Sequence, residues 1–271
     1  MPFAARLEAE TMRHDWGELT TTDFTRLATQ NPVAAVVLGA VEQHGPHLPL
    51  ATDRIIGDGL LDAASAHLSD DFPLLILPSL SLGASNEHAD FAGTLSLSAD
   101  QMRRQIVAIG EGLVRAGVER LVLINAHGGN IGWLNDAALE LRRLGLLAVK
   151  ASYMQFEPPA GLIAAEELRD GLHGGLAETA MMRHLAPELV RMDRAQDFEP
   201  NHPQREPLAP QGEAAWAWLA GDLHPAGVVG DAASASEELG ERLIRHYAKR
   251  LAKVIEASRD LAWPPQPSNE T

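Results

Sequence analysis

The feature that most constrains this chain is an alternation of short, wholly apolar runs with segments of helical period. Residues 33–41 (VAAVVLGAV) are apolar without a break, bounded by Pro32 and by a polar, proline-rich stretch. That length and valine content predict a strand buried on both faces. Thr52 is placed to cap a helix from Asp53 to about His67, with Ile55, Ile56, Leu60, Leu61 and Ala64 on its apolar side. Further buried strands are predicted at 74–77, 120–125 (RLVLIN) and 146–150. Ser98-Ala-Asp-Gln101 reads as a capping box that opens a helix to about Ala116, and residues 131–144 form another helix that ends at Gly145. Strand and helix in alternation predict an α/β fold with a parallel sheet and right-handed crossovers.

Beyond Ser152 the pattern loosens. Residues 155–165 and 199–212 are rich in proline and glycine and read as long irregular connections. A helix is expected at 176–185, stopping before Pro187, and Ser234-Ala-Ser-Glu237 caps a long last helix at about 236–258. The reading is one domain over 1–262 and a disordered tail at 263–271. Composition now excludes several classes. Against 22 basic side chains stand 37 acidic ones, a net charge of −15 that repels nucleic acid and anionic membranes. No apolar run approaches the roughly 20 residues that span a bilayer. The absence of cysteine removes disulfides, thiolate metal sites and cysteine nucleophiles. Residues 1–16 carry acids among the bases and lack an apolar stretch, unlike a signal peptide, so a cytoplasmic protein is expected.

Polar atoms that carry chemistry collect after the strands. Glu42 and His44 follow the first strand, where an extended backbone would turn both one way and Gln43 the other. Asp53 opens the next helix, a position that favours an anion. A Glu, a His and an Asp so grouped suit a divalent metal with nitrogen and oxygen ligands, although a plain ion-pair loop has the same spacing. The third strand ends in Asn125-Ala-His127-Gly128-Gly129-Asn130, a second histidine at the same sheet edge with two glycines that permit close backbone approach. His173 and Glu178 flank the start of the 176–185 helix, where the carboxylate can serve the helix dipole alone. Ser85, Glu87 and His88, in the loop after the second strand, can reach substrate at that edge.

These segments are specific in combination. LGAVEQHGPHLPLATD, SLGASNEHADFAGT, NAHGGN and LHGGLAETA, followed by Gly227-Val-Val-Gly-Asp231, resemble the creatininase family of metal-dependent amidohydrolases over roughly residues 33–240. The resemblance implies a three-layer α/β/α fold with a mainly parallel central sheet, two divalent ions per chain, and a homo-oligomer, often a hexamer. By matched position, Glu42 and His127 would hold one ion, His44 the other, and Asp53 would bridge the two. Members with a glycine at the position of Gly129 use a glutamate matching Glu178 in place of the missing carboxylate. His173 falls where the family places a histidine acting on the substrate or its leaving group. The glycine-pair members include a peptidase of mycofactocin maturation and a deformylase.

The expected activity is hydrolysis of a C–N bond in a cyclic amide, formamide or similar small substrate by metal-activated water. The resemblance implies Glu42, His44, Asp53, His127 and Glu178 as ligands of such a centre and His173 as its general acid. Ser85, Glu87, His88, Gly128 and Gly129 are expected to contact substrate. Zinc is the first expectation for the ions, with manganese and iron as alternatives, since imidazole and carboxylate suit all three. Weighed against this are a small-peptide peptidase of the mycofactocin type, a non-catalytic metal-binding protein, and a hydrolase using Ser79, Ser81 or Ser85, for which no nucleophile elbow exists.

Overall fold

The computed structural model describes residues 13–201 and 207–264. In chain order the elements are β1 (Arg13–Asp15), α1 (Thr21–Leu27), β2 (Val33–Leu38), α2 (Thr52–Ser65), β3 (Leu74–Ile76), α3 (Ala99–Arg115), β4 (Arg120–Asn125), α4 (Ile131–Arg143), β5 (Leu147–Ser152), α5 (Ala165–Asp170), α6 (Leu176–Leu185), β6 (Asp197–Phe198), β7 (Leu208–Ala209), β8 (Ala214–Ala215), α7 (Ala220–Leu223), β9 (Gly230–Asp231) and α8 (Glu237–Asp260). The central sheet has the order β1-β3-β2-β4-β5, and every pairing in it is parallel.

Side chains alternate across a strand, and β2 shows what that produces here. Val33, Ala35 and Val37 pack into one core with α2, α6 and α8, while Ala34, Val36 and Leu38 enter a second core with α3 and α4. Both faces are therefore covered, giving three layers, α/β/α. The chain passes from β2 outward to β3, then crosses back over β2 to β4. The strand order thus reverses beside β2, and in parallel sheets the crevice at such a point is where ligands bind.

Several local expectations need correction. Thr52 does not cap α2; it is the helix's first residue, and its hydroxyl donates to the Pro49 carbonyl at 2.7 Å. The apolar run 33–41 pairs as a strand only to Leu38. Ser236, rather than Ser234, caps α8 by accepting from the Leu239 N–H. β1 and α1 went unread, since β1 is a three-residue edge strand with little apolar signal. The expected disordered tail begins too early: the Trp263 indole donates to the Gly145 carbonyl at 2.8 Å, and Arg142 lies over its ring at 4.4 Å. Residues 265–271, the rest of that tail, and residues 1–12 lie outside the described residues.

Leu123 is fully buried in β4, whereas Leu139 on α4 is 55% exposed. Leu123→Ala should lower unfolding free energy by about 2–5 kcal/mol, and Leu139→Ala by less than about 0.5 kcal/mol. Denaturant titration of both variants checks this; equal losses would mean that β4 is not the core of the sheet.

Candidate metal centre

β2 and β4 are neighbours, and their carboxyl ends deliver the two histidine segments to one place. Glu42 and His44 reach it through a loop rather than along an extended strand: the chain leaves the strand at Gly39, and the Glu42 N–H donates to the Leu50 carbonyl. Asp53, in the first turn of α2, is buried where the positive end of the helix supports its charge. Its Oδ1 lies 3.1 Å from His44 Nε2 and its Oδ2 lies 3.2 Å from His127 Nδ1. Glu42 Oε1 is 3.2 Å from His127 Nδ1, 3.5 Å from His88 Nε2 and 3.7 Å from His173 Nδ1. Glu178 Oε2 stands 4.0 Å from His44 Nε2 and accepts from the Gly174 N–H at 2.6 Å.

Backbone carbonyls decide where the ring protons sit, because a carbonyl can only accept. His44 donates from Nδ1 to the Glu42 carbonyl (3.1 Å), His127 from Nε2 to the Ala84 carbonyl (2.9 Å), and His173 from Nε2 to the Gln43 carbonyl (2.7 Å). In the neutral rings this leaves His44 Nε2, His127 Nδ1 and His173 Nδ1 bare, each aimed at a carboxylate. Lone pair against anion is repulsive unless a cation lies between. Glu42 Oε2 and Asp53 Oδ2 are moreover buried without a hydrogen bond. Donor atoms of Glu42, Asp53 and His127 lie within 4.8 Å of one another, as do those of His44, His173 and Glu178. An all-nitrogen-and-oxygen set of this kind fits divalent ions.

Without an ion, protons take its place. Burial opposes charge on His44, but the carboxylates of Asp53, Glu178 and Glu42 outweigh it and raise the ring to about 9. His127 is likewise raised against burial, by Glu42 and Asp53. Burial also opposes charge on both carboxylates, yet Glu42 is held below its ordinary range by His127, and Asp53 by His44 and His127. His173 goes the other way: burial, then the neighbouring His44, lowers it. Its ring is sandwiched between His44 (4.2 Å between centroids) and His88 (4.3 Å).

The expected substrate contacts divide. Ser85 is fully buried with Oγ 3.2 Å from His127 Nε2, so its hydroxyl backs a histidine rather than facing outward. That geometry also disposes of a serine nucleophile at 85, since His127 Nε2 gives its proton to Ala84. Ser79 is occupied by Asp58 at 2.5 Å. Glu87 Oε1 approaches the same outer face of His127 at 3.7 Å, its carboxyl raised by burial. His88 is buried inside the cluster. Gly128 faces open space, whereas a Cβ on Gly129 would lie 2.1 Å from the Ala84 carbonyl and 2.4 Å from Glu87 Oε1. The Ala84 carbonyl, with Glu87 beside it, thus occupies the room that a side chain at 129 would need.

Three participants were missed. Gln43, expected to point away, is buried against His88 at 2.8 Å. The Tyr153 hydroxyl, at the end of β5, donates to Glu178 Oε1 at 3.5 Å. Thr179 Oγ1 meets His47 Nε2 at 2.9 Å, tying the first motif's loop to α6. Tyr153 has no motif around it, and only its place after a parallel strand could have flagged it. Asn125 and Asn130 bind the turn: Asn125 donates to the His127 carbonyl, and Asn130 accepts from the Ala84 N–H.

A family model described as "Creatininase: Creatinine amidohydrolase" matches residues 17–255. The chain belongs to the creatininase family. Among its relatives is the mycofactocin precursor peptide peptidase of Mycobacterium ulcerans (strain Agy99), 32% identical over 93% of each chain. The creatinine amidohydrolase of Pseudomonas putida is 29% identical over 88% of this chain and 95% of its own. Solved creatininase structures superpose well: a manganese form gives a TM-score of 0.73 at 26% identity, covering 93% of this chain and 99% of that one. A zinc–zinc form of a creatininase variant gives 0.72 at 26% identity, covering 93% and 98%. Membership makes the chain a creatininase-family amidohydrolase, which removes the non-catalytic reading.

The crowding at Gly129 has a measurable consequence. Gly129→Ala should lower thermal stability by about 1–3 kcal/mol through overpacking, while Gly128→Ala should stay within about 0.5 kcal/mol of the parent. Matched melting curves that coincide would show that the Ala84 carbonyl and its neighbours do not close that space.

Proposed function

We propose that this creatininase-family enzyme hydrolyses a small amide, cyclic amide or formamide at a two-metal centre. The carrying observation is Asp53, whose two oxygens each stand beside a different histidine, as a bridging carboxylate must. Glu42, Asp53 and His127 would hold one ion; Asp53, His44 and Glu178 the other. Ions so held supply a water acidified towards neutrality and polarisation of the scissile carbonyl. The manganese and zinc–zinc forms of the solved relatives support divalent metal, with zinc preferred and manganese or iron as alternatives.

The protein's own part is to manage protons and exclude solvent. His173 presents a bare Nδ1 to the site and is anchored through Nε2 on Gln43. Burial keeps the ring neutral, so it can take a proton at Nδ1 and return it from that atom to the leaving nitrogen. This refines the expected general acid into a base first and an acid second. The His44 and His88 rings flank His173 on either side, tilted to it by 37° and 33°, and burial of Glu42, His44 and Asp53 keeps bulk water from competing. A small peptide is the second reading for substrate, favoured by the mycofactocin relative that spans nearly the whole chain. The reading also includes a cytoplasmic homo-oligomer, a hexamer by family resemblance, for which light scattering is the direct measure.

Elemental analysis with kinetics tests the assignments. Asp53→Ala should lose both metals, and Glu178→Ala one metal and most activity. His173→Ala should keep both while the rate falls roughly 10²–10⁴-fold, and a better leaving group should restore much of that loss. Metal loss in His173→Ala would make it a ligand and remove the proton carrier.

A further inference from the structure

Gln43 is a buried amide that meets a ring nitrogen of the cluster, and its orientation is chemically unambiguous. Oε1 accepts from the Gly45 N–H at 3.0 Å, and Nε2 donates to the Gly227 carbonyl at 2.6 Å. An N–H cannot accept and a carbonyl cannot donate, so the two ends of the amide cannot be exchanged. The second Nε2 hydrogen is then directed to His88 Nδ1 at 2.8 Å. His88 Nδ1 must be the acceptor there, which places the ring's proton on Nε2, 3.5 Å from Glu42 Oε1.

From this geometry we propose that Gln43 is a positioning residue: held by Gly227, its amide fixes the His88 proton on Nε2, the nitrogen that faces the carboxylate of Glu42 at 3.5 Å. The inference rests on the reading of Glu42 as a metal ligand only for its consequence, not for the placement of the proton. It has two results. First, His88 does not bind metal, although its nitrogen gathers with Glu42 and His173 within 4.8 Å, because a protonated nitrogen has no lone pair to give. Second, the C-terminal Gly227-Val-Val-Gly-Asp231 segment acquires a task in the site. Gly227 has φ +76°, and a Cβ there would lie 2.5 Å from Gln43 Oε1 and 2.8 Å from Nε2, so only glycine lets its carbonyl press this closely on the amide. A relay follows, from Gly227 through Gln43 and His88 to Glu42, that orients the ligand's carboxylate from behind, as outer partners of metal ligands do.

Imidazole ¹⁵N shifts of the full-length, metal-loaded protein read the relay directly, with the His88 signals assigned by their loss in His88→Gln. The expected spectrum shows a neutral His88 with its proton on Nε2. Gln43→Leu, and independently Gly227→Ala, should both move it to a mixture of tautomers while leaving the His44 pattern in place. His88→Gln, which keeps an N–H, should retain both metals and recover part of the roughly 10–100-fold rate loss of His88→Ala. A wild-type His88 with bare Nε2, an unmoved signal in both relay variants, or metal loss in His88→Gln would overturn the proposal. If Asp53→Ala retained both ions while the tautomer pattern held, the two-metal reading would fail and the relay would stand.

Discussion

Everything at this site depends on one confrontation: buried carboxylates facing buried ring nitrogens whose protons have been directed elsewhere. The His44, His127 and His173 rings each spend an N–H on a backbone carbonyl, of Glu42, Ala84 and Gln43, and turn the other nitrogen towards Glu42, Asp53 or Glu178. Such an arrangement is unfavourable in an empty, dry interior. It becomes favourable once a cation is shared between the partners, or, failing that, once protons bind, which is why His44 and His127 are raised so far. The centre is therefore built by spending hydrogen bonds on orientation and leaving charge uncompensated in the middle.

The fold makes that concentration of charge tolerable. β2 and β4 are buried on both faces and run parallel, so their ends arrive together at the crevice where strand order reverses. α2 brings Asp53 in with its positive helix end, and α6 brings Glu178 in its first turn. Three further segments complete the shell from behind: the loop after β3 with Ser85, Glu87 and His88, the end of β5 with Tyr153, and the Gly227 strap. None of these is near another in sequence. The glycine pair after His127 shows how such a shell is exclusive: a Cβ at Gly129 would run into the Ala84 carbonyl first, and then into Glu87 and the His127 ring.

Much of this was legible before any coordinates. β2, β4, α6 and the capping box of α3 follow from period and composition, because a strand buried on both faces reads as a near-continuous apolar run and Ser98 with Gln101 satisfies its own helix end locally. The family resemblance lay in contiguous motifs, and the ligand candidates in them do converge. Less visible were β1, too short and exposed to leave a pattern, and the anchoring of Trp263, which depends on a carbonyl 118 residues away.

What the sequence determined by itself was the kind of chemistry: oxygen and nitrogen donors without sulfur, glycines where backbone must approach, and strands able to bring those donors to one edge. The tertiary structure decided which nitrogen of each histidine is free. Gln43 illustrates the division. Strand alternation turns it away from the site, but the chain leaves the strand at Gly39, and a contact across 184 residues, Gln43 to Gly227, aims its amide at His88. Proton placement is set by whichever acceptor lies within reach in space, and no local pattern encodes a partner that only folding brings near.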